Sequence, residues 1–312
     1  MPAVAVENLE KTYRSRSWKV WRSPDETRAL NGISFSVDES EIFGIVGPNG
    51  AGKTTLINIL SGLIYRDGGT VRVFGEELSR NRERLAERMN VATAYSSLTG
   101  PLTVDENLKV FGHLYDSYSS EKADELLDLF EISHLRDSRV WSLSAGQQTR
   151  ANLCKAFMNE PELLLLDEAT AGLDPHIAQV TRDAIQRLRD EQGTTILVTS
   201  HDMTDIDQLS DRMMFLHEGE ILRRGTPAEL KQDLHVKVLK VTVDAPSPAF
   251  RSVVEDAGGR VAGDTATFEV DAPSDIVTVL ERVGELEIDI VDIQTSSPDL
   301  DQLFQTVARG EL

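Results

Sequence analysis

The sequence predicts an α/β protein: a mixed, mainly parallel sheet with a separate helical lobe, followed by a C-terminal α+β unit. Three observations carry this reading. The apolar runs "IFGIV" (42–46), "LLLL" (163–166) and "TILVT" (195–199) are short and continuous, as strands buried on both faces of a sheet are, and helical stretches alternate with them. Residues 104–160 read as helix only, which sets them apart as a lobe. Beyond residue 236 the order becomes strand, helix, strand, strand, helix, strand, helix.

Taken in order, "AVAVENL" (3–9) alternates as a strand, and "RALNGISFSV" (28–37) is a second strand that ends in the turn "DESE". "IFGIV" runs straight into "GPNGAGKTT" (47–55) and the helical "LINILSGL", and "GGTVRVFG" (68–75) is a short strand between turns. The lobe contains "VDENLKVFGHLY" and "SEKADELLDLFEI", both with 3.6-residue periodicity and the second capped by Ser120, and then "QTRANLCKAFMN". Next come the strand "ELLLLDE", a helix over 176–192 and the strand "TTILVTS". A short helix at 203–210 and strands near 212–217 and 220–223 follow. The tail reads as strands at 237–244, 260–263, 266–271 and 286–293, with helices at 247–257, 274–284 and 299–308. "VDAPS" recurs at 243–247 and 270–274, each time between a strand and a helix, so the tail reads as two βαβ-like halves in a ferredoxin-like layout. The expected domains are 1–232, with the lobe at about 95–160, and 233–312.

The chain has 312 residues and 40% hydrophobic residues, enough for a large domain and a small one. No apolar run approaches the roughly 20 residues of a membrane span, and "MPAVAVENLEKTY" lacks a signal pattern. The single cysteine, Cys154, fits a reducing compartment and, next to Leu153 and Phe157, reads as core rather than as a nucleophile. These features point to a cytoplasmic protein. Its net charge of −20, from 9 Lys and 23 Arg against 52 acids, resembles the acidic, lysine-poor surfaces of proteins from halophilic archaea, where salt screens self-repulsion. It argues against nucleic acid as a partner, since neutralising phosphates needs a basic face. One stretch, 11–28, is locally basic and holds Trp18 and Trp21. It reads as a solvated hairpin, with contact to lipid head groups or to a partner that tolerates a basic surface as the alternatives. The tail holds 16 acids and 6 bases over 233–312 and shows no catalytic constellation.

The chemistry sits in the first domain. "GPNGAGKTT" matches G-x-x-x-x-G-K-[ST] between a strand and a helix. Gly47, Gly50 and Gly52 let the backbone, with Asn49 and Ala51 between them, wrap phosphates, and the helix N-terminus adds positive potential. Lys53 would reach β and γ phosphates, and the hydroxyl of Thr54, next to Thr55, would ligate Mg2+. "LLLLDEAT" places Asp167 and Glu168 at the C-terminal end of a buried strand, where parallel sheets bind ligands. Asp167 suits Mg2+ and Glu168 suits a general base. His201 follows the strand "TILVT" and can hydrogen-bond the γ phosphate. Asp174 in "AGLDP", taken alone, would be a helix N-cap ahead of Pro175. "LSAGQ" (143–147) opens a helix with backbone NH groups and the Ser144 hydroxyl to offer, but with no acid or base.

Phosphate loop, "LSAGQ", "LLLLDE", "AGLD" and His201, in this order, make residues 3–230 resemble the ATP-binding subunit of an ABC transporter; "SSPDLDQLF" in the tail adds similarity to ABC-2 type exporter subunits, the multidrug, antibiotic and polysaccharide exporters. The resemblance implies a P-loop NTPase (ABC ATPase) fold, ATP and Mg2+ as ligands, and a homodimer or a heterodimer with a paralogue, arranged head to tail around two ATP. It also implies a separately encoded transmembrane permease, with this chain peripheral on the inner face of the cell membrane. Leu143, Ser144, Gly146 and Gln147 would then meet the ATP of the opposite subunit, Asp174 would work across that interface, and Tyr13 would stack on adenine with Trp18 and Trp21 as rivals. Two departures stand out. Tyr95, between Ala94 and Ser96, occupies the place of the family's glutamine that touches Mg2+, which implies altered coupling there, and "DEAT" replaces the usual "DEPT". The alternative is an ABC ATPase acting as a nucleotide-dependent regulatory or binding module. Repair-type members insert a long coiled coil where only 93 residues separate Gly52 from Gly146, and translation-type members carry two such domains. The tail is open to three readings: regulation, dimer stabilisation or a stabilising cap.

Overall fold

Residues 1–14, 26–93, 98–170, 173–233, 237–244, 246–270, 273–286, 288–296, 300, 304 and 307 are described by a computed structural model. They form two units, Met1–Thr226 and Pro227–Leu312. The first contains, in order, β1 (Val4–Arg14), β2 (Glu26–Val37), β3 (Ile42–Val46), α1 (Lys53–Leu60), β4 (Gly68–Val73), β5 (Glu76–Glu77), α2 (Arg82–Glu87) and β6 (Met89–Thr93). Then come α3 (Val104–Leu114), α4 (Ser120–Leu129), α5 (Ala145–Phe157), β7 (Leu163–Asp167), α6 (Pro175–Gln192), β8 (Thr195–Ser200), α7 (Met203–Leu209), β9 (Arg212–His217) and β10 (Glu220–Gly225). No described helix is long and apolar enough to cross a membrane.

The apolar runs do what continuous burial demands. Every residue of β3, β7 and β8 is buried, and these strands lie inside a six-stranded sheet of order β10-β9-β3-β8-β7-β6. All its pairs are parallel except β10 with β9. A second, antiparallel sheet of order β2-β1-β4-β5 shares a hydrophobic core with it, in which Phe35 stacks on Phe43 at 5.6 Å between ring centroids. The strand expected at 3–9 continues to Arg14 because the β1–β2 ladder carries it on, through Tyr13↔Thr27 and Arg14↔Glu26. The arms of a hairpin are therefore present, while its tip, with Trp18 and Trp21, lies outside the described residues.

Two local expectations shift. The cap of α4 is Ser119, whose side chain accepts from the Lys122 N–H at 3.0 Å; Ser120 is already the first helical residue. Ahead of the lobe, α2 and β6 form where the sequence offered only short, weakly patterned stretches. β6 is held by its parallel pairing to β7, from Met89↔Leu163 to Thr93↔Asp167. The lobe's regular elements are helical, α3, α4 and α5 with two 3-10 turns at Ser133–Leu135 and Val140–Ser142, and a single bridge joins Thr103 to Arg139 among the described residues. Cys154 is fully buried and burial pushes its thiol far up, so it is core.

The second unit contains α8 (Pro227–Asp233), β11 (Lys237–Val243), α9 (Pro248–Asp256), β12 (Arg260–Ala262), β13 (Thr265–Val270), α10 (Pro273–Gly284) and β14 (Ile290–Ser296). Its antiparallel sheet has the order β12-β13-β11-β14, the arrangement that a βαββαβ ferredoxin-like chain adopts. Its core joins Leu239, Val241, Phe250, Phe268 and Val283. The last strand starts at Ile290 rather than 286: Leu286 and Ile288 pack on this core without joining the ladder, so the alternation there reports burial and not pairing. Of the helix expected at 299–308, Leu300, Phe304 and Val307 are described, each helical.

Candidate functional site

The C-terminal ends of β3, β7 and β8 meet the N-terminus of α1, and there a cleft of about 410 Å³ opens. Asn49, Gly50, Gly52, Lys53, Thr54 and Thr55 line it from the loop side, and Asp167, Glu168 and His201 from the ends of β7 and β8. The loop could not be built from larger residues. A Cβ on Gly47 would lie 2.0 Å from the Leu216 carbonyl oxygen. Gly52 has φ 109°, and a Cβ there would lie 2.4 Å from the Ala29 carbonyl oxygen. Gly52 is also the N-cap of α1, and no side chain caps that end and no acid lies in the first turn. The helix N-terminus therefore keeps its positive potential for a ligand. Ala51 is buried behind the loop.

Lys53 is only 6% exposed, and its ammonium group donates to the Gly47 carbonyl at 2.6 Å and the Pro48 carbonyl at 3.3 Å. Its Nζ also lies 3.5 Å from Glu168 Oε1. The Thr54 hydroxyl donates to Asp167 Oδ2 at 2.9 Å. Glu168 is a non-glycine residue with φ 59°, a backbone conformation that surrounding contacts must impose. It turns the carboxylate toward Lys53 on one side and His201 on the other, where His201 Nδ1 is 2.7 Å from Oε2. A carboxylate only accepts, so the proton of that bond sits on Nδ1. Tyr13 is 44% exposed and places its hydroxyl 3.5 Å from Thr55 Oγ1, with Lys11 Nζ 5.6 Å from the ring centre. Thr199, which belongs to none of the sequence motifs, joins this cluster through the bond of its buried hydroxyl to Asp167.

The "LSAGQ" residues do not line this cleft. Leu143 is buried, and Ser144 caps α5, accepting from the Gln147 N–H at 3.3 Å while the Gln147 side chain accepts from the Ser144 N–H at 2.9 Å. Ala145 and Gly146 are the first two residues of α5, whose N–H groups have no carbonyl partner inside the helix. Asp174 caps α6 through the Ile177 N–H at 3.1 Å, with Pro175 in the first turn. Tyr95 and its neighbours Ala94 and Ser96, and Ala171 and Gly172 of "AGLD", lie outside the described residues.

The donor set fits Mg2+ in a specific way. One carboxylate and one hydroxyl are hard oxygen ligands, and no described group of three or more His, Cys, Asp or Glu could hold a metal by itself. A metal here would depend on oxygens that a phosphate ligand brings with it.

Comparison with known proteins matches residues 30–171 to the family model described as ABC transporter. The chain is 33% identical over 289 residues to the daunorubicin/doxorubicin resistance ATP-binding protein DrrA of Streptomyces peucetius, covering 89% of this chain and 87% of that protein. It is 31% identical over 290 residues to the Nod factor export ATP-binding protein I of Ralstonia nicotianae, covering 91% and 86%. Among solved structures, a dimeric ATP-binding cassette in a post-hydrolysis state, bound to ADP and Pi, superposes with a TM-score of 0.63 at 26% identity, over 72% of this chain and 98% of that one.

Proposed function

Because the chain belongs to the ABC transporter family, as one of its ATP-binding proteins, we propose that it hydrolyses ATP to drive a separately encoded ABC-2 type permease, in the direction of export. The observation that carries the reading is the split of the machinery. Lys53, Thr54, Asp167, Glu168 and His201 converge on one cleft, whereas Ser144 and the N-terminus of α5 that it caps do not line it. A second copy, or a paralogue, set head to tail would bring that helix end to the nucleotide, so two ATP would be held between two chains. The relatives named for drug resistance and Nod factor export support export, and the family supports a place on the inner face of the cell membrane.

Within one cleft, each residue has a task that its surroundings allow. The loop and the α1 N-terminus cradle the phosphates, and Lys53 balances their charge. Thr54 and Asp167 would hold Mg2+, which would offset charge on the phosphate oxygens. Glu168 takes the proton of the attacking water, and His201, donating from Nδ1, holds its carboxylate in place. Tyr13 would cover the adenine. Ser144, Gly146 and Gln147, with Leu143 seating them and Asp174 on the same interface, serve the site of the opposite chain. The net charge of −20 suits a cell interior rich in salt, as in halophilic archaea.

Complementation tests the split. A Ser144→Arg chain should bind ATP but not hydrolyse it, and so should a Glu168→Gln chain. Mixed, the two should regain one working site, built from the intact cleft of the first and the intact helix end of the second. Full ATPase activity of Ser144→Arg alone would overturn the proposal.

A further inference from the structure

Thr199 lies at the C-terminal end of β8, between β7 and β3, opposite Asp167 on one side and Ile45 on the other. It is wholly buried in a strand that reads Ile196, Leu197, Val198 before it. Valine has the same shape and would pack there without a polar atom to satisfy, so the hydroxyl needs a reason. The contacts supply one. Thr199 Oγ1 donates to Asp167 Oδ1 at 2.5 Å, a short bond of the kind a carboxylate acceptor makes. The same oxygen accepts from the Glu168 N–H at 3.2 Å, and the Thr199 carbonyl accepts from it at 3.1 Å.

Two consequences follow. Thr54 holds Oδ2 of Asp167 and Thr199 holds Oδ1, so the carboxylate cannot rotate without breaking one of the bonds. The Glu168 amide is clamped from two directions at the residue whose φ of 59° must be imposed from outside. One buried side chain thereby sets the plane of Asp167 and the backbone turn that aims Glu168 at Lys53 and His201.

We propose that Thr199 is a positioning residue for hydrolysis: its hydroxyl presents Asp167 to Mg2+ and fixes the turn of Glu168, without touching nucleotide. The inference rests on the ATPase reading above. Outer hydrogen-bond partners of metal ligands typically change affinity or activity by about 10–100-fold when removed. Thr199→Val, which keeps the shape and deletes the hydroxyl, should raise the Mg2+ concentration for half-saturation by about that factor. Thr199→Ser should restore it.

The test is calorimetric titration of Mg2+ into protein saturated with a non-hydrolysable ATP analogue, with kcat and KM for ATP measured alongside. For Thr199→Val, metal-free analogue binding should be unchanged, kcat should fall and KM measured at saturating Mg2+ should hold. A merely structural role would instead weaken metal-free binding too and would not be rescued by serine; that result overturns the inference. If Thr199→Val is too unstable to purify, Thr199→Ala against Thr199→Ser decides the same point. Active wild type with unchanged Mg2+ response in the hydroxyl-free variant overturns the inference alone. Wild type that hydrolyses no ATP overturns it together with the ATPase reading.

Discussion

Gly47→Ala asks whether the phosphate loop is fixed by contact with the backbone behind it. The added methyl would start 2.0 Å from the Leu216 carbonyl oxygen and 3.1 Å from the Ala51 side chain, and real Cβ contacts essentially never fall below 3.0 Å. Something must therefore move by about 1 Å (3.0 − 2.0), and the nearest atom is backbone, with no rotamer to yield. Overpacking of this kind costs about 1–3 kcal/mol, and a rigid contact belongs near the upper end, about a hundredfold in the folding equilibrium. The displacement also shifts the Gly47 carbonyl that receives the Lys53 ammonium at 2.6 Å, so nucleotide affinity should fall with stability. All three tryptophans, at 18, 21 and 141, belong to the first unit, so urea unfolding followed by tryptophan fluorescence reports that unit and not the second. Binding of a fluorescent ATP analogue completes the assay. Unfolding within about 0.5 kcal/mol of wild type, the range of an ordinary surface substitution, with unchanged binding, would refute the argument.

Lys53→Met keeps most of the side chain's length but deletes its charge; a charge-assisted hydrogen bond contributes about 1.5–3 kcal/mol, so triphosphate affinity should drop about tenfold to a hundredfold, measured by equilibrium binding. Asp105 carries a pH signature. Burial pushes its carboxyl up, but Lys109 and Arg136 outweigh this and hold it below the ordinary 3.8. Stability from this group is thus present above that value and lost as pH falls through the lowered one. Asp105→Asn should cost roughly 1 kcal/mol at pH 7, allowing for solvent around Lys109, and the gap to wild type should close in acid; a gap that widens in acid contradicts the ion-pair account. Raising KCl from 0.15 to 1 M shortens the screening length from about 8 to about 3 Å and should raise the urea midpoint of a chain carrying −20. A flat or falling midpoint would show that self-repulsion is not what limits stability.

The phosphate loop and the Asp167–Glu168 pair were legible because their chemistry is local: a run of glycines between strand and helix, and two acids at the end of a leucine strand. The order of the second unit was legible for the same reason, since "VDAPS" punctuates it twice. Thr199 was not legible, because its task exists only once β7 and β8 align in register and set it opposite Asp167. The conformation of Glu168 was hidden too, as no residue-type preference announces φ 59° at a glutamate. β6 shows the reverse problem: "MNVAT" is a weak strand by itself and becomes one by pairing with β7. The "LSAGQ" stretch was readable as a helix start, and its Ser144–Gln147 capping box shows which of its donors are already spent.

In the second unit the first and last strands, β11 and β14, are bonded neighbours, with Val238 opposite Ser296. The chain enters and leaves that sheet at one place, which makes the unit portable. It can be spliced into or out of a longer polypeptide while its four-stranded ladder stays whole. A linker of a few residues from Ser296 back to Lys237, with new ends at the Gly263 turn between β12 and β13, would give a circular permutant with every strand pair retained. In a gene, the same geometry lets such a segment be acquired or lost in one step, leaving the nucleotide cleft of the first unit with its own residues.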